Sequence, residues 1–227
     1  MQPFSRLDRS GREKFYTLAD NVERLEREID HYERRAAGLL KESNLGRRFK
    51  GRTFESFDRE KFPDAFDLVK AFAENFEQNK GEGIFLTGNP GTGKTHLAAA
   101  AANYIIKTFG IPVKFGSFAE LLEGIKNSFG GNEDAGRELI DVPLLVIDDL
   151  GKERQSEWSR SVLYRVINGR YENYSPVIIT TNETPQTVER NIGEATFSRV
   201  FEMCGGVSMN GEDYRMKKLG KDRKNGR

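Results

Sequence analysis

A glycine-rich segment that ends in lysine and threonine carries the strongest chemical signal in the sequence. Residues 88–95 read Gly-Asn-Pro-Gly-Thr-Gly-Lys-Thr. Glycines let such a turn bring its backbone N–H groups against phosphate oxygens, and a following helix points its positive N-terminal end at the same place. Lys94 would contact the β- and γ-phosphates, and the Thr95 hydroxyl would bind Mg²⁺. The segment therefore predicts a site for a nucleoside triphosphate with Mg²⁺.

The flanking residues fit a phosphate-binding loop. Residues 83–87 form a short apolar β-type run, and residues 97–102, a leucine and five alanines, are strong helix formers. A strand, a glycine-rich turn and a helix in this order are the context in which this motif works. His96 is expected to be a helix residue rather than a catalyst. We assign nucleotide binding to the loop and the residue after it, namely Gly88, Asn89, Pro90, Gly91, Thr92, Gly93, Lys94, Thr95 and His96.

Polar residues follow two further apolar runs. Residues 144–147, Leu-Leu-Val-Ile, lead into Asp148 and Asp149, and residues 176–181 lead into Asn182. An apolar run without alternation predicts a strand buried on both faces of a parallel sheet, and such sheets bind ligands at the carboxyl ends of their strands. We expect Asp148 to hold Mg²⁺ through water, Asp149 to orient and deprotonate the attacking water, and Asn182 to hold that water or contact the γ-phosphate.

The first 46 residues differ from the rest of the chain in the spacing of their apolar residues. Their apolar residues follow 3-4-3-4 spacing, which predicts a long amphipathic helix: Phe15, Leu18, Val22, Leu25, Ile29, Tyr32, Ala36 and Leu39. The spacing leaves open whether this helix packs on the core, pairs with itself or binds a partner. Gly38 should weaken its end, and residues 44–46 should break it.

The composition of the chain argues against a strongly basic, a disulfide-bonded and a membrane-spanning protein. With 36 basic and 35 acidic side chains in 227 residues, the chain has no overall attraction for nucleic acid or membrane. A single cysteine cannot form an internal disulfide, and no run of 18 apolar residues predicts a membrane span. We expect a cytoplasmic protein that does not enter a membrane. We divide it into a helical partner-binding or coiled segment (1–46), an ATPase core (47–214) and a basic tail (215–227), which is either a solvated end or a phosphate-binding arm.

The order of the motifs resembles that of the AAA+ ATPases of the DnaC/DnaI helicase-loader group and their IstB-type relatives in transposition. The resemblance rests on the phosphate loop, Val-Ile-Asp-Asp-Leu-Gly at 146–151, Ile-Ile-Thr-Thr-Asn at 178–182, Ser-Arg at 198–199 and Asp-Tyr-Arg at 213–215. Thr-Phe-Glu-Ser-Phe at 53–57 also resembles the segment that opens the core of these loaders. The resemblance implies an α/β fold, a P-loop NTPase of three α/β/α layers with a central parallel sheet and a minimal lid.

The resemblance also implies roles for single residues. Asn182 corresponds to sensor 1, Arg199 to an arginine finger that acts on a neighbouring subunit, and Arg215 to sensor 2. A planar, permanently charged guanidinium suits the spreading charge of a phosphoryl-transfer transition state. A finger that acts in trans implies a homo-oligomer or ATP-dependent self-assembly. Asp149 is shorter than the glutamate that many AAA+ proteins have at this position, which implies slow turnover stimulated by DNA or a partner.

The resemblance implies an ATP-dependent DNA replication factor that loads or remodels a hexameric replicative helicase on single-stranded DNA. An IstB-like helper ATPase of a transposase would use the same site on double-stranded DNA. From another class, a nucleotide-gated adaptor with little hydrolysis also fits the short Asp149. A small-molecule kinase is disfavoured because no arginine-rich closing lid is apparent, and a GTP switch because no Asn-Lys-x-Asp element follows the loop.

Four residues are candidates for contact with single-stranded DNA: Phe129, Ser156, Trp158 and Arg160. They lie in regions that resemble the DNA-contacting regions of the loaders. Aromatic side chains stack on unpaired bases, and arginine binds the phosphate backbone. The alternative is that Phe129 and Trp158 pack into the core.

Overall fold

The computed structural model describes residues 9–128, 136–151 and 156–213, with side chains from residue 20 onward except at 127 and 128. The predicted site residues Phe129 and Arg215, and the basic tail, lie outside the described residues. Contacts divide the chain into two compact units, Met1–Gly38 and Leu39–Arg227. Within the described residues, no helix combines the length and apolar character needed to cross a membrane.

The N-terminal segment forms one long helix, α1 (Arg9–Glu42), where the 3-4-3-4 spacing predicts it. The apolar side chains of Val22, Leu25 and Ile29 are each about half exposed. Arginines and carboxylates four residues apart pair along the helix, as at Arg24–Glu28 (3.8 Å). The helix continues through Gly38, because one glycine costs only about 1 kcal/mol against many good helix formers. It ends just before Asn44, whose φ of 60° is left-handed.

Five parallel strands in the described part of the chain confirm the predicted central sheet. They are β1 (Gly83–Thr87), β2 (Val113–Ser117), β3 (Leu144–Asp148), β4 (Val177–Thr180) and β5 (Cys204–Ser208), in the order β2-β3-β4-β1-β5. β2 begins directly after Pro112, which has no N–H to donate to a sheet. β5 was not predicted.

Helices cover both faces of the sheet. They are α2 (Pro63–Glu74), α3 (Lys94–Phe109), α4 (Phe118–Ser128), α5 (Arg137–Asp141), α6 (Glu157–Glu172), α7 (Pro185–Ile192) and α8 (Glu194–Met203), with 3-10 turns at Arg59–Lys61 and Phe76–Gln78. Leu145, Ile147 and Ile179 pack into one core with α4 to α8. The alternating residues of β3 and β4 are buried as well and face α3, because successive side chains of a strand point to opposite sides.

A buried arginine stabilises the end of the sheet that is opposite the predicted site. The side chain of Arg170 on α6 is fully buried and donates to five backbone carbonyls, those of Leu139, Ile140, Val142, Pro143 and Pro176. Burial lowers the pKa of Arg170 to about 9, which still leaves the guanidinium charged at neutral pH. The residue therefore holds α5 and the starts of β3 and β4 in place, away from the predicted site.

Candidate nucleotide-binding site

Sheet order brings the three predicted parts of the site together. β4 lies between β3 and β1, so the carboxyl ends of these three strands are neighbours. The phosphate loop follows β1, the two carboxylates lie at the end of β3, and Asn182 follows β4. The site thus lies at the edge of a parallel sheet where ligands bind in such folds.

The loop at residues 88–95 is closed around its own lysine. Lys94 is only 4% exposed, and its Nζ donates to the carbonyl oxygens of Gly88 and Asn89, both at 2.7 Å. The Thr92 hydroxyl donates to the Asn89 carbonyl at 2.9 Å. Lys94 begins α3, whose N-terminus therefore points at the loop. This arrangement provides the cation and the oriented N–H groups that bind phosphate.

Two other segments of the chain lie against the loop. A side chain at Gly91 (φ 76°) would collide with the Asp213 carboxylate, and one at Gly93 (φ 105°) would come within 2.7 Å of Phe57 Cε2. Asn89 Nδ2 also donates to the Gly211 carbonyl at 3.3 Å. Glycine is required at both positions for backbone conformation and for space. That these segments contact the loop was not apparent from sequence, because they lie far from it along the chain.

His96 joins one of these segments to the start of α3. Its Nε2 lies 3.1 Å from the Thr53 carbonyl and 3.0 Å from the Ser56 hydroxyl. Burial, helped by the charge of Arg52, lowers the pKa of His96, so the ring is neutral at neutral pH. The Phe57 ring packs edge-on against the imidazole. The structure therefore places His96 as an anchor for residues 53–57 beside the loop, and its predicted contact with nucleotide stays a prediction.

Asp148 accepts two hydroxyl hydrogen bonds on one oxygen. Thr95 Oγ1 donates to Asp148 Oδ1 at 2.9 Å, and Thr180 Oγ1 donates to the same atom at 2.6 Å. Burial raises the pKa of Asp148, while these hydrogen bonds and the charge of Lys94 act in the opposite direction. A hydroxyl and a carboxylate beside a phosphate site are the hard oxygen ligands that Mg²⁺ takes in nucleotide sites. The residues present thus fit the predicted cation.

Hydrogen bonds hold Asp149 at its backbone and at its carboxylate. Its φ is 55°, a left-handed conformation that aspartate tolerates better than most residues. Its backbone N–H donates to Thr180 Oγ1 at 3.0 Å, and its Oδ1 accepts a hydrogen bond from Asn182 Nδ2. The structure therefore brings the predicted base and the predicted sensor into contact, and Thr180 contacts the Asp149 backbone as well as the Asp148 carboxylate.

Sequence reasoning missed Thr180. The side chain is fully buried on β4 and touches both functional aspartates. Threonine is a common strand residue, so an apolar run that ends in two threonines gives no reason to single out one hydroxyl. The available signal was its place at the carboxyl end of the strand beside the carboxylate strand.

Arg199 lies on α8 and packs against α6. Its guanidinium carbon is 5.2 Å from the centre of the Tyr164 ring and 5.9 Å from that of Tyr171, and its Nη1 donates to the Ala195 carbonyl at 2.9 Å. The Nε atom is buried without a hydrogen-bond partner. The aromatic contacts hold the guanidinium in a defined position. Its role as a finger in trans stays a prediction.

Three of the four DNA candidates are described. Trp158, in the first turn of α6, is 41% exposed, and Lys126 Nζ lies 4.8 Å from the centre of its ring. Ser156 caps α6 by accepting a hydrogen bond from the Ser159 N–H at 3.1 Å. Arg160 is exposed and makes a long hydrogen bond, 3.4 Å, to the Arg190 carbonyl. Trp158 is thus not a core residue, and contact of these residues with DNA stays a prediction.

Comparison with known proteins identifies relatives of the chain. It is 35% identical to the phage-like element PBSX protein XkdC of Bacillus subtilis (strain 168) over 184 residues, which are 76% of this chain and 69% of that protein. It is 28% identical to the replicative helicase loader DnaC of Escherichia coli (strain K12) over 164 residues, which are 70% of this chain and 66% of DnaC.

Solved structures agree with these sequence relatives. The crystal structure of the DnaC helicase loader superimposes with a TM-score of 0.66 at 28% identity, covering 72% of this chain and 99% of that one. The replication initiator DnaA bound to AMPPCP and single-stranded DNA gives a TM-score of 0.63 at 25% identity, covering 80% of this chain and 56% of that one. These similarities confirm the P-loop AAA+ fold. Residues 4–222 match the family model described as IstB-like ATP binding protein, and the chain therefore belongs to this family of ATP-binding proteins.

Proposed function

We propose that the protein is an ATPase that loads or remodels a hexameric replicative helicase on single-stranded DNA. Hydrolysis is supported above all by the series of hydrogen bonds that joins Thr95, Asp148, Thr180, Asp149 and Asn182 beside the phosphate loop. The hydrogen bonds run from Thr95, next to Lys94 of the phosphate loop, to Asp149 and Asn182, which supports the proposed roles of these residues in hydrolysis.

Each side chain has a defined task in this proposal. Lys94 binds the phosphate oxygens once it leaves the loop carbonyls. Asp149 accepts a proton from the attacking water, and Asn182 holds the carboxylate of Asp149 in place. Thr95 and Asp148 hold Mg²⁺, which when bound supplies charge neutralisation at the phosphates. Arg199 of a neighbouring copy stabilises negative charge that develops on the transferred phosphoryl group.

The helicase partner is supported by the similarity to DnaC, a replicative helicase loader, and by the exposed stripe of α1. In a parallel pair of α1 helices with Val22 and Ile29 at the a positions, Glu28 would face Glu33 of the second copy. Like charges at this position disfavour self-pairing. We therefore assign the apolar stripe of α1 to contact with the helicase. A helicase partner in turn assigns the protein to the cytoplasm.

Binding to single-stranded DNA is supported by exposed Trp158 and its neighbour Lys126. Trp158 is 41% exposed and the Lys126 ammonium lies 4.8 Å from the ring centre, so a partly exposed aromatic ring lies beside a positive charge. Bases stack on such surfaces without strong sequence preference. The basic tail adds nonspecific attraction for phosphate.

ATP hydrolysis with and without single-stranded DNA tests the proposal. The parent chain should release phosphate slowly, and DNA or the helicase should increase the rate. Lys94→Ala should abolish binding of a fluorescent ATP analogue and hydrolysis together. Lys107→Ala, an exposed lysine on the same helix, should leave both unchanged. Phosphate transfer to a metabolite, or hydrolysis that survives Lys94→Ala, would refute the proposal.

A transposase helper is the second candidate, favoured by the IstB-like family to which the chain belongs. Capture of partners from a lysate of the source organism separates the two, since a hexameric helicase and a transposase are distinct proteins. Recovery of a transposase would replace the first proposal. A nucleotide-gated adaptor is the third candidate, favoured by the short side chain of Asp149 at the position of the base. Tight ATP binding without phosphate release under any condition would establish the adaptor.

A further inference from the structure

One buried hydroxyl joins the carboxylate of Asp148 to the backbone of Asp149. Thr180 Oγ1 donates its only proton to Asp148 Oδ1 at 2.6 Å and accepts the Asp149 backbone N–H at 3.0 Å. The side chain is fully buried. We propose that Thr180 is a positioning residue that aligns Asp148 toward Mg²⁺ and Asp149 toward the attacking water, an inference that rests on the proposed ATPase function.

At Asp148, Thr180 fixes which oxygen faces the nucleotide. Thr95 and Thr180 both donate to Oδ1, from the loop side and from the β4 side. Two donors on one oxygen set the rotation of the carboxylate and assign its other oxygen, Oδ2, to the cation or its water. Partners that orient a metal ligand in this way commonly change metal affinity or activity about 10- to 100-fold when they are removed.

At Asp149, Thr180 holds the backbone. A φ of 55° is unfavourable for a residue with a side chain and persists only where surrounding contacts enforce it. The bond from the Asp149 N–H to Thr180 Oγ1 is such a contact. Without it the N–H would lose its acceptor, and the peptide would be free to rotate away from the conformation in which Asp149 meets Asn182.

The neighbouring residue provides a matched control. Thr181 is also fully buried, and its hydroxyl also makes two hydrogen bonds, to the Leu150 carbonyl at 2.6 Å and from the Glu183 N–H at 3.1 Å. Neither of these bonds involves a carboxylate of the site. A substitution that damages only the fold should therefore act alike at both positions, whereas loss of alignment should appear only at Thr180.

The test compares Thr180→Val, Thr180→Ser and Thr181→Val in the full chain. The first readout is the thermal shift produced by ATP as Mg²⁺ is titrated, relative to ATP with EDTA. Thr180→Val should raise the half-saturating Mg²⁺ concentration about tenfold or more. The second readout is phosphate release, in which kcat should fall by a similar factor while KM changes little. Thr180→Ser should restore both values, and Thr181→Val should keep both near the parent.

Several outcomes would overturn the inference. It fails if Thr180→Val keeps the Mg²⁺ dependence and kcat of the parent. It also fails if Thr181→Val changes these two values as much as Thr180→Val does, or if Thr180→Ser does not return them to those of the parent. Should Thr180→Val not fold, Thr180→Cys, of similar size and with a weak donor, must show the same direction of change. A parent chain that binds ATP with Mg²⁺ but releases no phosphate would refute the ATPase proposal, while the Mg²⁺ titration would still decide the role of Thr180.

Discussion

The side-chain amide of Asn182 donates a hydrogen bond to Oδ1 of Asp149. This contact joins the end of β4 to the end of β3 and orients the Asp149 carboxylate through its Oδ1 atom. The predicted base is therefore oriented before nucleotide binds. Preorganisation of this kind lowers the cost of reaching the transition state, because the group needs no rearrangement when the reaction occurs.

Asp149→Asn should therefore keep nucleotide binding and lose turnover. Asparagine tolerates the left-handed backbone at this position and has nearly the same shape, but it cannot accept the proton. We expect kcat to fall about 10²-fold or more, with little change in the affinity for a fluorescent ATP analogue. Phosphate release and analogue titration measure the two quantities. Hydrolysis at the parent rate would remove Asp149 from the role of base.

Asp148→Asn should make the nucleotide-free protein more stable at neutral pH. Burial raises the pKa of Asp148 above its ordinary value of 3.8, so ionisation of the folded chain costs free energy. That cost is absent below pH 3.8 and complete once the pH exceeds the raised pKa. Asparagine keeps an oxygen for the Thr95 and Thr180 hydroxyls and carries no charge.

Urea unfolding at several pH values measures this effect. The free energy of unfolding of Asp148→Asn should exceed that of the parent at pH 7.5 by about 1 kcal/mol, within the usual range of a single stabilising substitution. The difference should shrink as the pH falls toward 3.8. Asp141→Asn, at an exposed position that ends α5, serves as the control for loss of a surface carboxylate. If Asp148→Asn were less stable than the parent both at pH 7.5 and near pH 3.8, the negative charge of Asp148 would not destabilise the folded protein.

The predictable parts of the site are those carried by short contiguous patterns. The phosphate loop and the buried strand before Asp148 each need only local sequence, since loop geometry and strand burial follow from neighbouring residues. Parallel pairing of β3 with β4 and of β4 with β1 then brings Asn182 to the same edge. The fold class and the nucleotide site can therefore be predicted from the amino-acid sequence alone.

Parts that depend on tertiary contacts cannot be predicted in this way. The approach of Asp213 to Gly91 and the role of Thr180 are set by packing between segments far apart in the chain. β5 was missed because Gly205 and Gly206 are poor strand formers, and the strand forms only by pairing with β1. An arginine in a helix is usually exposed, yet Arg170 is buried and donates to five backbone carbonyls. In each case the partner is not visible in the local sequence.

The Arg199 guanidinium rests on Tyr164 and Tyr171, which positions it as a rigid group on the surface of α8 and α6. If it completes the site of a neighbouring copy, Arg199→Ala should lower the DNA- or helicase-stimulated ATPase rate by up to about 10³-fold while leaving ATP binding intact. Arg165→Ala, an exposed arginine on α6, should have little effect.

Mixing two inactive variants tests action in trans. Lys94→Ala keeps its finger but cannot bind nucleotide, whereas Arg199→Ala binds nucleotide but has no finger. A mixture of the two should recover part of the activity, because some Arg199→Ala subunits then face an intact finger. Normal hydrolysis by a monomer of Arg199→Ala would exclude the trans role.

The indole of Trp158 is partly exposed and carries Lys126 on one face. Stacking of one unpaired base on an aromatic side chain contributes about 1–3 kcal/mol. Trp158→Ala should therefore weaken binding to single-stranded oligonucleotides about 5- to 150-fold and leave duplex binding nearly unchanged. Tyr174→Ala removes an exposed aromatic from the loop after α6 and serves as the control.

The salt dependence of binding separates stacking from charge. Trp158→Ala should keep the slope of log K against log salt, whereas Lys126→Ala should reduce it by about 1, as expected when one phosphate contact is lost. Removal of residues 219–227 should weaken single- and double-stranded DNA alike and flatten the slope further, because the basic tail carries no base-stacking group. Equal loss on single- and double-stranded DNA for Trp158→Ala would show that the indole does not select single strands, and the DNA surface would then have to lie elsewhere on the molecule.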